Sequence, residues 1–209
     1  MRNTFLHLIA GLLLALSGST AMAVDEPPFT VLRTEPPFEL REYPGFLVAE
    51  TWVEGDFDEA GRKGFRRIAA FIFGDNRAAS GEAAKIAMTA PVTMEPAGET
   101  IAMTAPVTME ADGTRWRIHF VMPASYTMAT LPKPTDPRVT IREVPAHRMA
   151  SVRFSGFTTK NSMREHTGSL QAWIAKQGLK PRAQPQIARY NDPFTLPWNR
   201  RNEMLVEVE

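Results

Sequence analysis

The chain predicts an α+β fold in which two similar halves, each mostly strand with one long helix, share a sheet or a distorted β-barrel. Three features of its 209 residues predict it. Leu40-Arg41-Glu42-Tyr43-Pro44 is answered at an offset of 101 by Ile141-Arg142-Glu143-Val144-Pro145, and the same offset matches Ala49 to Ala150 and Gly55 to Gly156. Each half carries one amphipathic helical pattern. The other regular segments alternate apolar and polar residues at the period of a strand.

The N-terminus sets the expected compartment. Arg2 supplies a positive charge, Leu6 to Leu16 is an apolar run broken only by His7 and Gly11, and Ala21-Met22-Ala23 is a small-x-small cleavage site. This reads as a secretory signal peptide over residues 1–23, with a run too short to span a bilayer. The expected mature domain is 24–209, periplasmic or secreted, with no membrane span after cleavage. About 185 residues suffice for one domain with a real core, with halves at about 29–122 and 123–209.

Cysteine is absent, which removes disulfides, thiolate metal sites and cysteine nucleophiles together. The formal net charge is +1, with Lys and Arg scattered among acids. No basic stripe argues for nucleic acid, and no basic amphipathic helix argues for a membrane surface.

In chain order, strands are expected at Thr30 to Arg33 and Glu39 to Tyr43, then at Phe46 to Val53 after Pro44. The first helix is expected from Phe57 to Phe73, with Asp56 as N-cap and Glu59 as its capping-box partner. Phe57, Gly61, Phe65, Ile68 and Ile72 form its inward stripe, with Arg62, Lys63, Arg66 and Arg67 on the polar flank. A strand follows at Arg115 to Met122, with Trp116, Ile118, Phe120 and Met122 on one face and Arg115, Arg117 and His119 on the other. Pro123 to Pro137 holds four prolines and connects the halves. Strands at Arg138 to Val144 and His147 to Phe154 precede a second helix from Ser162 to Gln177. That helix is capped by Ser162 with Glu165, striped by Met163, Leu170, Trp173 and Ile174, and stopped by Gly178. Ile187 to Tyr190 and Met204 to Val208 complete the strands.

Between the first helix and Arg115, the ten residues IAMTAPVTME occur twice, at Ile86 to Glu95 and Ile101 to Glu110. Extended, each copy places Ile, Met, Ala, Val and Met on one face, while Pro91 and Pro106 make it an edge or a bend. The pairing would bring Met88, Met94, Met103 and Met109 together. Core filling and an adaptable pocket for a flat ligand both suit methionine. Clustered thioethers also select Cu(I), but the spacing here is that of a strand.

No Ser-His-Asp spacing, HExxH or phosphate loop appears, so hydrolysis and phosphoryl transfer have no support. His119, His147 and His166 read as surface or satisfied structural histidines. The stretch from Tyr190 to Glu203 holds Tyr190, Phe194 and Trp198 with Pro193 and Pro197, and it closes on Arg200-Arg201. It reads either as a packed loop with Arg201 and Glu203 paired, or as a pocket rim whose aromatics stack on a planar ligand while Arg holds a carboxylate.

KIAMTAPV at Lys85 to Val92 and its copy, WRIHFVMP at Trp116 to Pro123, LPKPTDPRVTI at Leu131 to Ile141, Phe154-Ser155-Gly156 and YNDPFTLPWNRRNE at Tyr190 to Glu203 together resemble the SOUL/haem-binding-protein family. The match runs from about Phe29 to Glu209. The resemblance implies two fused βαββ-type repeats forming a distorted barrel with two amphipathic helices, similar in fold to gyrase-inhibitor-like regulatory domains. It implies non-covalent, non-catalytic binding of haem or a related tetrapyrrole in an apolar groove beside the first helix, with no axial residue identified. The site carried over by the resemblance is Arg62, Phe65 and Ala69 with Tyr190 and Leu196. Two further basic positions of the family fall on Ala70 and Leu196, for which Arg66 or Arg67 would substitute. The alternative is a gyrase-inhibitor-like small-molecule module or enzyme using the same groove. A buried Glu or Tyr facing the groove would favour that alternative, and Met and Phe rimmed by Arg would favour a tetrapyrrole.

Overall fold

Proline and glycine punctuate the first three strands, which the computed structural model places at Thr30–Glu35 (β1), Phe38–Tyr43 (β2) and Phe46–Glu54 (β3). The described residues are 26–78, 101, 105–191 and 194–209. Gly55 then turns the chain with φ 123°, a left-handed conformation that other residues rarely adopt. Asp56 caps helix α1 (Phe57–Ile72), its carboxylate accepting from the Glu59 N–H at 2.8 Å. Glu59 pairs with Lys63 one turn on.

After the short β4 (Asn76–Arg77) come β5 (Val107–Asp112), β6 (Arg115–Val121) and the short β7 (Lys133–Pro134), which pairs with β4. The second half repeats the pattern with β8 (Thr140–Val144) and β9 (His147–Phe154), and Gly156 is again left-handed at φ 96°. Helix α2 (Lys160–Lys176), β10 (Gln186–Arg189), a 3-10 turn at Pro197–Asn199 and β11 (Asn202–Val208) finish the chain.

Among the described residues, nine strands form one antiparallel sheet in the order β1-β2-β9-β11-β10-β5-β6-β3-β8. The halves exchange the strands that carry the repeated Leu40 and Ile141 segments. β2 pairs with β9 of the second half, and β8 pairs with β3 of the first. They also meet at β5 and β10. Among the described residues the sheet stays open, with β1 and β8 as its edges, so the expected barrel holds only in a loose sense.

Three sequence expectations shift. Helix α2 starts two residues before Ser162, because the extended Thr159 (ψ 158°) is the cap and its hydroxyl accepts from the Ser162 N–H at 3.2 Å. Phe65, expected inward, is 40% exposed. The buried face of α1 is instead completed by Ala60, Gly64 and Phe71, with Gly64 so close to β6 that a Cβ there would stand 2.8 Å from Ile118. Small residues let the helix approach the sheet, which turns Phe65 to its flank. The first IAMTAPVTME copy lies outside the described residues, as does Met103. The expected clustering of four methionines is therefore described only for Met109, which is buried in β5.

Both faces of the sheet are packed. The main core lies on the helix-bearing face and includes Phe71, Met109, Ile118, Phe120, Ile187 and Met204. A smaller core of Tyr43, Met149, Ala188 and Leu205, joined by Phe29, Phe46 and Tyr190, lies on the opposite face.

Candidate functional site: a methionine-floored cleft between the helices

Helix α1 packs on β3 and β6, and α2 on β9 and β11, so the central strands β5 and β10 floor a cleft between them. Strand alternation aims Met109, Trp116, Ile187 and Met204 into this side. Together with Met163 and the rim residue Arg164 of α2, they surround an open cavity of about 370 Å³. Its walls are apolar and polarizable, and thioethers adapt their shape at little cost.

Further along the cleft stands Arg189 of β10. Its guanidinium donates to the Met109 Sδ at 3.3 Å and lies 5.3 Å from the centre of the Phe57 ring. Burial pushes its pKa below the ordinary arginine value, with the charge of Asp58 acting against that shift and Arg200 adding to it. Nothing in the sequence set this arginine apart. Its signal was positional, opposite in strand parity to Tyr190.

The α1 residues Arg62, Phe65, Arg66 and Ala69 are successive positions of one helix flank, because three- and four-residue steps share a side. Arg62 and Arg66 are exposed, Ala69 is half-buried, and the Phe65 ring rests on Phe120 at 5.7 Å between centroids. Leu196, 52% exposed, opens the 3-10 turn of the C-terminal loop. The Gly156 N–H ties this loop to the end of β9 by donating to the Pro197 carbonyl at 2.8 Å. Phe194 and Trp198 of the loop are exposed.

Tyr190 is not brought to that flank. It falls on the opposite face of the sheet, where its hydroxyl donates to Glu203 Oε2 at 2.8 Å and Arg201 lies over its ring. The physical reason is one step of strand parity: Arg189 takes the helix side, so Tyr190 must take the other. Burial pushes the Tyr190 hydroxyl well up from its ordinary value, with Glu203 adding to the shift.

Glu203 is fully buried at the centre of this helix-free face. It accepts from Arg41 at 2.6 and 3.1 Å and from Arg201 at 3.0 Å, besides Tyr190. Burial alone would raise its carboxyl. The hydrogen bonds and charges of Arg41 and Arg201 prevail and hold it below the usual carboxylate range. A buried Glu with two guanidiniums already on it has no charge left for a cationic ligand. The feature that would favour the gyrase-inhibitor-like alternative, a buried Glu or Tyr facing the groove, is not met by Glu203 or Tyr190, which lie on the face away from the helices.

The same face holds a small cavity of about 100 Å³ beside Tyr43, Thr108, Arg117, His119, Arg142 and His147. His119 is neither a surface nor a satisfied residue. Its Nδ1 is sealed from solvent with no hydrogen-bond partner, although part of the ring still meets the cavity. Burial, then Arg117, Arg142 and His147, push its pKa down to about 3. His166 stacks on Phe154 at 4.1 Å, and His147 stacks on Tyr43. Among the described residues, no three His, Asp or Glu side chains are grouped to hold a metal ion.

The state of His119 has a measurable sign. Its folded pKa lies below the ordinary value, so the stability it contributes is present above about pH 6.5. That contribution is lost as pH falls toward the folded value, where the unfolded chain takes up a proton the native ring refuses. Urea unfolding of wild type and His119→Gln at pH 7.5 and pH 5 is expected to differ in pH dependence by about 2 kcal/mol, the wild type losing more. Equal losses would place the imidazole in contact with water.

An open antiparallel sheet with two helices on one face, bearing an apolar cavity lined by α2 and the central strands, defines the class of an α+β domain. Solved structures that share this fold include the following two. The EcmrR C-terminal domain has a TM-score of 0.55 at 14% identity, covering 82% of this chain and 96% of that one. A hydrolase from Listeria innocua has a TM-score of 0.58 at 13% identity, covering 85% and 94%. At such identities the likeness is one of fold alone.

The family model of the SOUL heme-binding protein matches residues 24–207, and the chain belongs to this family. It is 26% identical to Heme-binding protein 1 of Xenopus laevis and 27% identical to that of Xenopus tropicalis. Each match spans 171 residues, 80% of this chain and 81% of the relative.

Proposed function

We propose that the protein binds haem or a related tetrapyrrole, non-covalently and without catalysis, on the helix-bearing face between the Phe65 flank of α1 and the cleft floor. The observation that carries this reading is the floor itself, where Met109, Met163, Met204 and Trp116 meet with arginine at the rim. A tetrapyrrole supplies a flat apolar area and carboxylates. The residues fit both: burial contributes about 25 cal/mol per Å² of apolar surface, and guanidiniums make charge-assisted contacts with carboxylates. Arg62, Phe65, Arg66, Ala69 and Leu196 form the outer part of the proposed site. Family membership supports the ligand class, and the saturation of Glu203 disfavours a cationic ligand on the other face. The sequence of residues 1–23 supports export, so the domain would meet its ligand in the periplasm or outside the cell.

Titration of purified protein with hemin tests the reading. A Soret shift beyond that of a control protein is expected, and Arg62→Ala with Arg66→Ala should weaken binding about tenfold, the equivalent of about 1.4 kcal/mol. A shift no larger than the control's, with no effect of the double substitution, sinks the proposal.

A further inference from the structure

We infer that Arg189 is a carboxylate anchor within the cleft: a guanidinium set into an apolar wall and without an ion-pair partner among the described residues, so that an anionic group of the ligand completes it. The inference rests on the tetrapyrrole reading and names a residue that the reading lacks.

The other buried or half-buried strand arginines are all answered by acids. Arg41 pairs with Glu203, Arg117 with Glu110 and Arg142 with Glu50. Arg189 has no carboxylate oxygen within 4.0 Å among the described residues. Its near contacts are the Met109 thioether and the Phe57 ring, both weak compensation for lost hydration, and the Asp58 charge, which favours it, forms no ion pair with it.

Helix α1 is also shaped around it. A Cβ at Gly61 would stand 3.0 Å from Arg189 Nη2 and 3.2 Å from Met109 Sδ. Glycine in a helix interior costs about 1 kcal/mol relative to alanine. Here it leaves room for the guanidinium beside the thioether, so the cation is seated in the cleft wall rather than free at the surface. Arg200 of the C-terminal loop is close enough to disfavour the charge on Arg189. An entering carboxylate would relieve that repulsion and replace hydration with a bidentate, charge-assisted contact.

Fluorescence titrations with protoporphyrin IX and with its dimethyl ester, on wild type, Arg189→Met and Arg189→Lys, test this. Wild type should bind the diacid on the order of a hundredfold more tightly than the ester, Arg62 and Arg66 supplying about tenfold and Arg189 the rest. Arg189→Met should lose about tenfold of that preference, its affinity for the diacid falling far more than that for the ester, and Arg189→Lys should keep part of it. Arg189→Met should also melt no lower than wild type, since methionine fills the site without an unpaired charge. An unchanged preference for the diacid in Arg189→Met overturns the anchor alone. A marked fall in its melting temperature makes Arg189 a structural residue and also overturns it. Failure of wild type to bind either porphyrin overturns the tetrapyrrole reading and the anchor together.

Discussion

Glu203→Ala is expected to lower the unfolding free energy by about 3–5 kcal/mol, measured by urea denaturation near neutral pH. The carboxylate is fully buried and accepts from Arg41, Arg201 and Tyr190 at 2.6 to 3.1 Å. Removing it strands the Arg41 guanidinium, itself only 3% exposed, without its buried counter-charge. The Arg41 pairing with Glu39 at 2.7 Å cannot replace it, because Glu39 is partly solvated. Arg41→Met combined with Glu203→Leu should cost clearly less than the two single losses added, since the pair is removed together. A loss below about 1 kcal/mol for Glu203→Ala would mean that water reaches this face.

Phe120→Ala is expected to cost about 3–5 kcal/mol, the range for truncating a fully buried aromatic. Phe120 has no exposed surface, lies in the main core and supports the ring of Phe65 from below. Its removal leaves a cavity under the α1 flank that bears Arg62, Phe65, Arg66 and Ala69. Hemin affinity should therefore fall with stability, even when measured at a temperature where the variant is fully folded. Phe120→Leu keeps most of the volume and should cost less than about 1.5 kcal/mol with near-normal binding. If Phe120→Ala bound hemin as wild type does, Phe65 would not depend on its support and the α1 flank would lose its place in the site.

Much of the fold was legible from spacing. The offset that relates Leu40 to Ile141 and Gly55 to Gly156 predicted two strand–glycine–helix units, and both glycines sit at left-handed turns between strand and helix. The Asp56 cap was equally local, because a side chain and an amide three residues on decide it. Thr159 was missed because Ser162 offers the same chemistry, and only the extended backbone at 159 distinguishes them.

The site was less legible. The positions Arg62, Phe65, Ala69 and Leu196 come from the family resemblance, with Arg66 as a substitute basic residue, and helical period only sets the α1 members on one flank. Tyr190 and Arg189 are adjacent, and sequence favoured the aromatic residue. Parity gives neighbours opposite faces but does not say which face carries the helices when both are packed. His119 was misjudged for a related reason. On a sheet with a solvated side it would be wet, but here the second face is closed by Tyr43, Arg142 and His147.

By itself, the sequence determined the alternation, the start of α1 set by its Asp56 cap, the repeat and the family, because each depends on residues close in the chain or on a recognisable motif. Tertiary structure alone decided that β2 and β8 cross between halves, that Glu203 lies under Arg41 162 positions away, and that Arg189 faces the methionine cleft. Those outcomes depend on which strands become neighbours. Pairing is fixed by burial summed over the whole sheet, a quantity that no local pattern contains.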